Sequence, residues 1–400
     1  QTQTLKTTPN STHILYFSKP NGNYSIDAPG LELHYDLRPP LIKRGFENPD
    51  VIAQNTLEKT FLKAKDAQRY RDFTSAEKLL IEIIEDDPLH LEARKELSSL
   101  YFRNADYDQA LSISNLGLQI DAYHVGLNYN AGISYMAKKD WINAKEHLGW
   151  AARSITYRSS ANSLLAQIQM IEKKYSDAKH YNDIALKYNT ENINALSQQA
   201  LLYRIMGEKE NALKTISAIE KIDPINHFAV YEKYLLGEAD KNAVTDSHRS
   251  EFPYQTFLEL ALFYHNRNQN VEAIKILKSG PKHLLNSLWL AYLNQNQMAL
   301  SDLDNESIAF VFPFRKESLN MLEWVVANHP SWKAKYLMGL NLMGRAQMEK
   351  GIQIFKDLGQ TPNDHLFYFI RGMLFKENQL SGYQKDLHRA YHQSPKNWRY

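Results

Sequence analysis

Small and aromatic side chains recur along this chain at a fixed interval of 34 residues. One column of the repeat holds only alanine, at Ala76, Ala110, Ala144, Ala178 and Ala212. Three residues earlier the side chain is aromatic in four of the five repeats, at Phe73, Tyr107, Trp141 and Tyr175, with Lys209 in the fifth. Twelve residues before the alanine it is always small, at Ala64, Ser98, Gly132, Ala166 and Ala200. A period of this length predicts a stacked array of helical hairpins.

Each column has a physical role in such an array. Small residues let two antiparallel helices approach closely, and aromatic rings fill the space between one hairpin and the next. Pro88 and Pro224 follow helices because proline cannot continue one. A single hairpin cannot bury its apolar face alone, so each one needs neighbours. The predicted repeats cover about residues 57–90, 91–124, 125–158, 159–192 and 193–226.

This combination of columns resembles the tetratricopeptide repeat over about residues 57–225. The resemblance implies an all-α, right-handed superhelix of helical hairpins, in which the first helix of each hairpin lines a concave groove. The chain departs from the pattern at Lys209, where an aromatic residue is expected, and at Ile83 and Ile219, where alanine is expected. We therefore expect less regular packing at those positions.

Outside the regular repeats, the pattern divides the chain into further segments. Residues 1–50 are predicted to be an extended arm or the tail of a preceding β domain, because Leu31 and Leu33 alternate as in a half-buried strand. The regular array occupies 51–237, and the polar stretch 238–253 is predicted to be a linker or insertion. Residues 254–400 are predicted to be divergent repeats. In this segment the small, aromatic and alanine columns are occupied by Ala261, Tyr264 and Ala273, and Gly280–Pro281 ends the hairpin.

Composition narrows the function classes. The chain has 47 Lys and Arg against 45 Asp and Glu, a balance that argues against a nucleic-acid binder. It has no cysteine, no glycine-rich nucleotide loop and no metal-binding motif beyond a His388 and His392 pair, which we assign to a solvated helix face. We expect no cofactor, no metal, no catalytic residue and no membrane span. Because the chain starts at Gln1 and ends abruptly, we expect it to be part of a longer protein.

Candidate binding residues lie on the predicted concave face and at the junctions where the column pattern is interrupted. The predicted partner-binding groove consists of Lys65, Arg69, Lys95, Arg103, Tyr123, His124, Tyr129, Asn130, Tyr157, Arg158, Ser163, Gln167 and Arg204. A polar groove that contains lysine and arginine side chains suits a carboxylate-bearing peptide or another polar chain. The alternative is that these residues form an ordinary solvated helix face.

Two further patterns bear on the groove. Six tyrosines occupy repeat columns and are assigned to the core, namely Tyr101, Tyr107, Tyr135, Tyr175, Tyr203 and Tyr264. Phe61 and Glu96 stand where the chaperone-tail carboxylate clamp of some tetratricopeptide proteins uses lysine and asparagine, which argues against a chaperone adaptor. The predicted function is a non-catalytic scaffold that captures a protein or peptide in its concave face. We expect that replacing Arg103 and Tyr129 together weakens capture of the protein or peptide partner. The sequence leaves the oligomeric state open.

A second hypothesis rests on another resemblance. The segments 121–129 and 157–161 are similar to parts of large bacterial proteins in which an uncharacterised β-sandwich domain, associated with carbohydrate utilisation, precedes a tetratricopeptide array. This resemblance implies the helical accessory region of a carbohydrate-processing or carbohydrate-binding protein. Its partner would be a carbohydrate or a carbohydrate-active domain of the same protein. It also favours a bacterial exported or periplasmic location over the cytoplasm.

Overall fold

The computed structural model describes residues 24–28, 31–35, 56–247, 251–397 and 399. The chain divides into two compact units, Gln1–Lys59 and Thr60–Tyr400. In the first unit, β1 (Tyr24–Ala28) pairs antiparallel with β2 (Leu31–Tyr35), with Tyr24 opposite Tyr35. β2 is the strand expected from the alternation of Leu31 and Leu33. The rest of the predicted arm lies outside the described residues.

The regular repeats form five consecutive helical hairpins. Their helices are α1 (Thr56–Arg69) and α2 (Phe73–Asp86), α3 (Leu91–Arg103) and α4 (Tyr107–Ile120), α5 (Val125–Ala137) and α6 (Trp141–Ala151), α7 (Ile155–Ile171) and α8 (Tyr175–Tyr188), and α9 (Ile193–Ile205) and α10 (Lys209–Ile222). Each helix packs mainly against its neighbours in sequence. This confirms the predicted all-α solenoid of tetratricopeptide-like hairpins.

Polar side chains fix where these helices begin. Asp72, Asp106 and Asp140 each precede the second helix of a hairpin and accept a hydrogen bond from a backbone N–H in its first turn. Asn192 and Asn226 do the same for first helices. These N–H groups have no partner within the helix, so a side-chain acceptor at this position stabilises the helix start.

The alanine column explains why the hairpins close tightly. All five of its alanines are fully buried. Gly132 in α5 lies so close to α6 that an added methyl group would come within 2.7 Å of Leu148 Cγ. Ile83 and Ile219 are also fully buried, so the solenoid accommodates these larger side chains where less regular packing was expected.

The interruption of the pattern near Tyr157 is an extra turn of helix. α7 has 17 residues and begins at Ile155, where Ser154 accepts a hydrogen bond from the backbone N–H of Thr156. Tyr157 and Arg158 therefore lie in the first turn of α7, at the place where a proline turn was expected.

The second half continues the array with less regular spacing. Its elements are α11 (His227–Leu235), α12 (Lys241–Asp246), α13 (Pro253–His265), α14 (Asn270–Ser279), α15 (Leu284–Leu293), a 3₁₀ helix (Gln297–Asn305), α16 (Glu317–Asn328), α17 (Trp332–Met343), α18 (Met348–Asp357), α19 (His365–Glu377) and α20 (Tyr383–Gln393). The short helix α12 lies within the segment predicted to be a linker. One apolar core extends from Met170 to Ala390 and joins the end of the regular array to these hairpins.

Candidate functional site

The turn between α17 and α18 reaches back to the end of α3. Arg345 Nη1 donates a hydrogen bond to the carbonyl of Arg103 at 3.1 Å, and Gln347 Nε2 donates to the carbonyl of Asn104 at 3.2 Å. Carbonyls at a helix C-terminus have no partner within the helix, and the negative end of the helix dipole favours a cation there. Residues about 240 positions further along the chain thus cap α3.

The turn between α13 and α14 makes the corresponding contact with α7 and α9. Asn268 Nδ2 donates to the carbonyl of Ile171, the last residue of α7, at 3.2 Å. Gln167 Nε2 in α7 donates in the opposite direction, to the carbonyl of Asn266 at 2.9 Å. Arg267 Nη2 donates to Asn194 Oδ1 in α9 at 2.7 Å. Two turns of the second half therefore contact the first helices of the regular hairpins, the helices predicted to line the groove.

Between these contacts lies a cavity of about 670 Å³. Its aromatic lining residues are Phe102, Tyr107, Tyr129, Trp141, Trp289 and Tyr292. Its polar lining residues are Lys139, Gln167, His265, Asn266, Asn268, Asn270, Lys316, Glu317 and Asn320. Sites for compact ligands have this size and this combination of apolar walls with a few polar groups.

Burial shifts the pKa values of several polar groups that line the cavity. Burial lowers the pKa of the Lys316 ammonium, which lies over the ring of Phe102 at 4.3 Å. Burial also lowers the pKa of His265, whose Nδ1 lies 2.8 Å from Asn270 Oδ1. The pKa of Tyr107 rises to about 12, first through burial and then through the charge of Glu317. His265 and Tyr107 are therefore uncharged at neutral pH.

One buried donor on the cavity wall is unused. Trp289 is almost fully buried, and its indole Nε1–H has no hydrogen-bond partner within the described part of the chain. Burying a donor without an acceptor is unfavourable.

Of the predicted groove residues, Tyr129 and Gln167 line the cavity. The Tyr129 ring lies 4.8 Å from the ring of Tyr157, and burial raises the pKa of its hydroxyl. Gln167 holds the α13–α14 turn through its hydrogen bond to Asn266. These residues join the cavity wall to the junction between the third and fourth hairpins.

Five other predicted residues have partners in their own or a neighbouring repeat. Lys65 and Lys95 form ion pairs with Glu96, at 2.8 and 3.1 Å. The His124 ring accepts from the backbone N–H of Leu127 at the start of α5. Asn130 Nδ2 donates to the carbonyl of Lys95 at 2.8 Å. Ser163 is buried and accepts from Gln198 Nε2 at 2.8 Å.

The remaining predicted residues lie outside the cavity lining. The Arg103 guanidinium stacks on Phe73, Arg158 Nε donates to the Ala152 carbonyl, and Arg204 pairs with Glu232. Arg69 is exposed beside Asp66, and Tyr123 is exposed against Trp150. That these residues bind a partner stays a prediction.

The sequence did not point to most of the cavity wall. Tyr107 was assigned to the core because it stands in a repeat column, yet it lines the cavity, whereas Tyr264 is fully buried as expected. Trp141 stands in the same column as Tyr107. Trp289 and Lys316 belong to the second half, where the repeat period is lost. Apart from the predicted groove residues Tyr129 and Gln167, the sequence signal for this site was the column position of Tyr107 and Trp141, which face the space between hairpins.

Across the described ranges, no three histidine or acidic side chains come together in a way that could hold a metal ion. His388 and His392 lie in α20 with ring centroids 6.5 Å apart. None of the described helices is long and apolar enough to cross a membrane.

No protein-family model matches the chain, and no curated protein matches it. Solved structures of tetratricopeptide repeat proteins do match. The type IV pilus biogenesis factor PilW is 17% identical with a TM-score of 0.45, over 51% of this chain and 99% of its own. Pseudomonas aeruginosa PilF is 17% identical with a TM-score of 0.45, over 50% and 96%. A tetratricopeptide repeat protein from Parabacteroides merdae is 13% identical with a TM-score of 0.40, over 68% and 98%. At these sequence identities and TM-scores, the matches do not indicate a partner or an activity for this chain.

Proposed function

We propose that this chain is a non-catalytic binding module that captures a short segment of a protein or peptide in the cavity of its concave face. The cavity itself is the observation that carries the proposal. It has the volume of a site for a compact ligand, and its rings and side-chain amides suit an apolar side chain followed by a peptide backbone. Solenoids bind through preformed surfaces of this kind, without a reactive residue.

The contacts that cross the groove limit which ligands fit. The α13–α14 and α17–α18 turns contact α7 and α3, so a long partner helix cannot lie along the whole row of first helices. A short segment or a chain end fits the remaining space better. Tyrosine and tryptophan provide large, rigid contact surfaces at low entropic cost, which favours them as anchors for such a segment.

Filling the cavity tests the proposal. Peptides selected from a displayed random library against the unmodified chain should lose at least about tenfold in affinity for an Ile171→Trp variant, because the indole occupies ligand space. Tyr129→Ala, which removes a ring from the wall, should weaken the same peptides.

The matched control is Ile155→Trp, at the other end of the same helix, where the side chain is 75% exposed. Selected peptides should bind this variant as they bind the parent. Equal binding to Ile171→Trp and Ile155→Trp would place the peptide site outside the cavity and contradict the proposal.

A carbohydrate is the second candidate ligand. The cavity wall contains six aromatic rings, four asparagines and one glutamine, and flat rings and planar amides match the apolar faces and hydroxyl groups of a sugar. This alternative is consistent with an accessory region of a larger carbohydrate-handling protein and with an exported bacterial location. Glycan-array binding that Ile171→Trp abolishes, with no selected peptide affected, would favour the sugar over the peptide.

A further inference from the structure

The charged side chains on the cavity wall do not balance. Lys139, Lys316 and Glu317 line the cavity, and among the described residues neither lysine forms an ion pair with a carboxylate. We propose that the cavity binds a carboxylate carried next to an apolar group, with the Lys316 ammonium as its main partner. This inference rests on the proposed function, because it names the chemical group that the same cavity takes from its ligand.

Lys316 is placed for this role by the start of α16. It directly precedes Glu317, the first residue of that helix, and its ammonium lies over the ring of Phe102 at 4.3 Å. Burial lowers the pKa of Lys316, while Glu317 favours the cation and Arg345 disfavours it. Because the pKa stays below its ordinary value, Glu317 compensates the buried ammonium only in part, and a bound anion would stabilise it further.

Two uncharged features of the wall also favour an anion. Trp289 is almost fully buried, and its indole N–H has no acceptor within the described part of the chain. The start of α16, where Glu317 and Asn320 line the cavity, has no side-chain cap among the described residues. An indole N–H can only donate, and the positive end of a helix dipole favours an anion. A carboxylate in the cavity gains from either feature.

The charge and the rings of the cavity limit which anion fits. The lining has two lysines against one glutamate, and burial lowers the pKa of His265, so that its ring adds no positive charge at neutral pH. A singly charged carboxylate matches this balance, whereas a doubly charged phosphate would bring a second charge near Glu317 without a further cation. The six aromatic rings suit an apolar group next to the carboxylate.

Three small probes of similar size and different charge test the proposal. Phenylacetate, phenylacetamide and phenethylammonium carry a negative charge, no charge and a positive charge on the same phenyl group. Each is titrated into the isotope-labelled chain, and NMR follows the indole N–H resonance of Trp289, which is assigned by its loss in Trp289→Phe. Phenylacetate should bind at least about fivefold more tightly than phenylacetamide, and phenethylammonium should bind most weakly.

Substitutions of Lys316 test its role as the partner of the carboxylate. Lys316→Met removes the ammonium but keeps an unbranched side chain over Phe102, so phenylacetate should bind at most about twofold more tightly than phenylacetamide. Lys316→Arg keeps the cation and should keep most of the preference. The matched control is Lys275→Met, at an exposed position of α14, which should bind all three probes as the parent does.

Glucuronate distinguishes a sugar acid from a carboxylate with an apolar neighbour. It carries the carboxylate on a ring of hydroxyl groups, so it should bind more weakly than phenylacetate. Tighter binding of glucuronate would overturn the proposal. Equal affinities of phenylacetate and phenylacetamide for the parent, no binding of phenylacetate, or equal losses in Lys316→Met and Lys275→Met would overturn it as well.

These results are separable from those of the peptide selections. If selected peptides depend on the cavity but the probes show no preference for the carboxylate, the proposed function stands and this inference fails. If Lys316→Met removes a carboxylate preference while no selected peptide depends on the cavity, this inference stands and the peptide function fails.

Discussion

At the scale of single residues, a buried polar contact set joins α9, α11 and α13 within the core. Glu232 in α11 is fully buried, accepts from Arg204 Nε at 2.7 Å and accepts from the Tyr264 hydroxyl at 2.6 Å. Burial disfavours the charge of Arg204, but the carboxylate of Glu232 outweighs it, so the pKa of Arg204 is raised. Arg204 in α9 is thereby joined to α11, and its role in partner binding stays a prediction.

Replacing Glu232 with glutamine should therefore be costly. The substitution keeps the shape but leaves the Arg204 cation buried without its main counter-charge, and we expect a loss of about 3–5 kcal/mol in the free energy of unfolding. Urea unfolding of the purified chain measures it. Asp108→Asn, which removes the exposed Asp108–Lys138 pair, is the control and should change stability by about 0–1 kcal/mol. Equal losses in the two variants would contradict this account.

At the scale of elements, the small column sets how closely the two helices of a hairpin pack. Gly132 and Gly149 lie on the two helices of the same hairpin, α5 and α6, but face different surroundings. A methyl group on Gly132 would meet the side chain and backbone of Leu148, whereas one on Gly149 would meet nothing within 4 Å. The same residue type thus has a packing role at one position and none at the other.

Alanine substitutions at these two glycines should have opposite signs. Gly132→Ala should destabilise the chain by about 1–3 kcal/mol, because the hairpin must separate to admit the methyl group. Gly149→Ala should stabilise it by up to about 1 kcal/mol, because alanine is the better helix former at an exposed position. Thermal or urea unfolding of the two single variants gives the comparison. Stabilisation by Gly132→Ala would show that the hairpin is less tightly packed than the structure indicates.

At the scale of the whole molecule, the second half of the solenoid partly occupies the face that the first half would otherwise offer to a partner. The polar donors at the two turns, among them Asn268, Arg345 and Gln347, satisfy carbonyls at helix ends. These contacts bring the two halves together beside the cavity of about 670 Å³. A ligand that binds both halves therefore stabilises the arrangement in which these contacts are made.

Removing the three side-chain donors of these turns should expand the molecule. The triple variant Asn268→Ala, Arg345→Ala and Gln347→Ala should show a larger radius of gyration by small-angle scattering, because the two halves of the solenoid are no longer tied across the face. Far-UV circular dichroism should remain that of the parent, since the hairpins pack with their sequence neighbours. The variant Gln353→Ala with Lys356→Ala should scatter as the parent does. Scattering identical to the parent in the triple variant would contradict the prediction that these contacts hold the two halves together.

The sequence alone was sufficient for the repeated hairpins. Helix capping, close packing at Ala144 and Gly132, and termination at Pro88 depend on residues near one another or one repeat apart. A period of 34 residues therefore records them directly. The later hairpins could also be located, because Ala261, Ala273 and Gly372 keep enough of the columns.

Only the tertiary structure decided where the first and second halves meet. Arg345 contacts the end of α3 across 242 positions, and Asn268 contacts the end of α7 across 97. Such pairs arise from the curvature of the solenoid, which accumulates over many small rotations between repeats. No local sequence pattern encodes the total of these rotations. Trp289 and Lys316 therefore could not be assigned to the cavity from the sequence. The repeat pattern determined the hairpins, and the accumulated curvature determined the cavity they enclose.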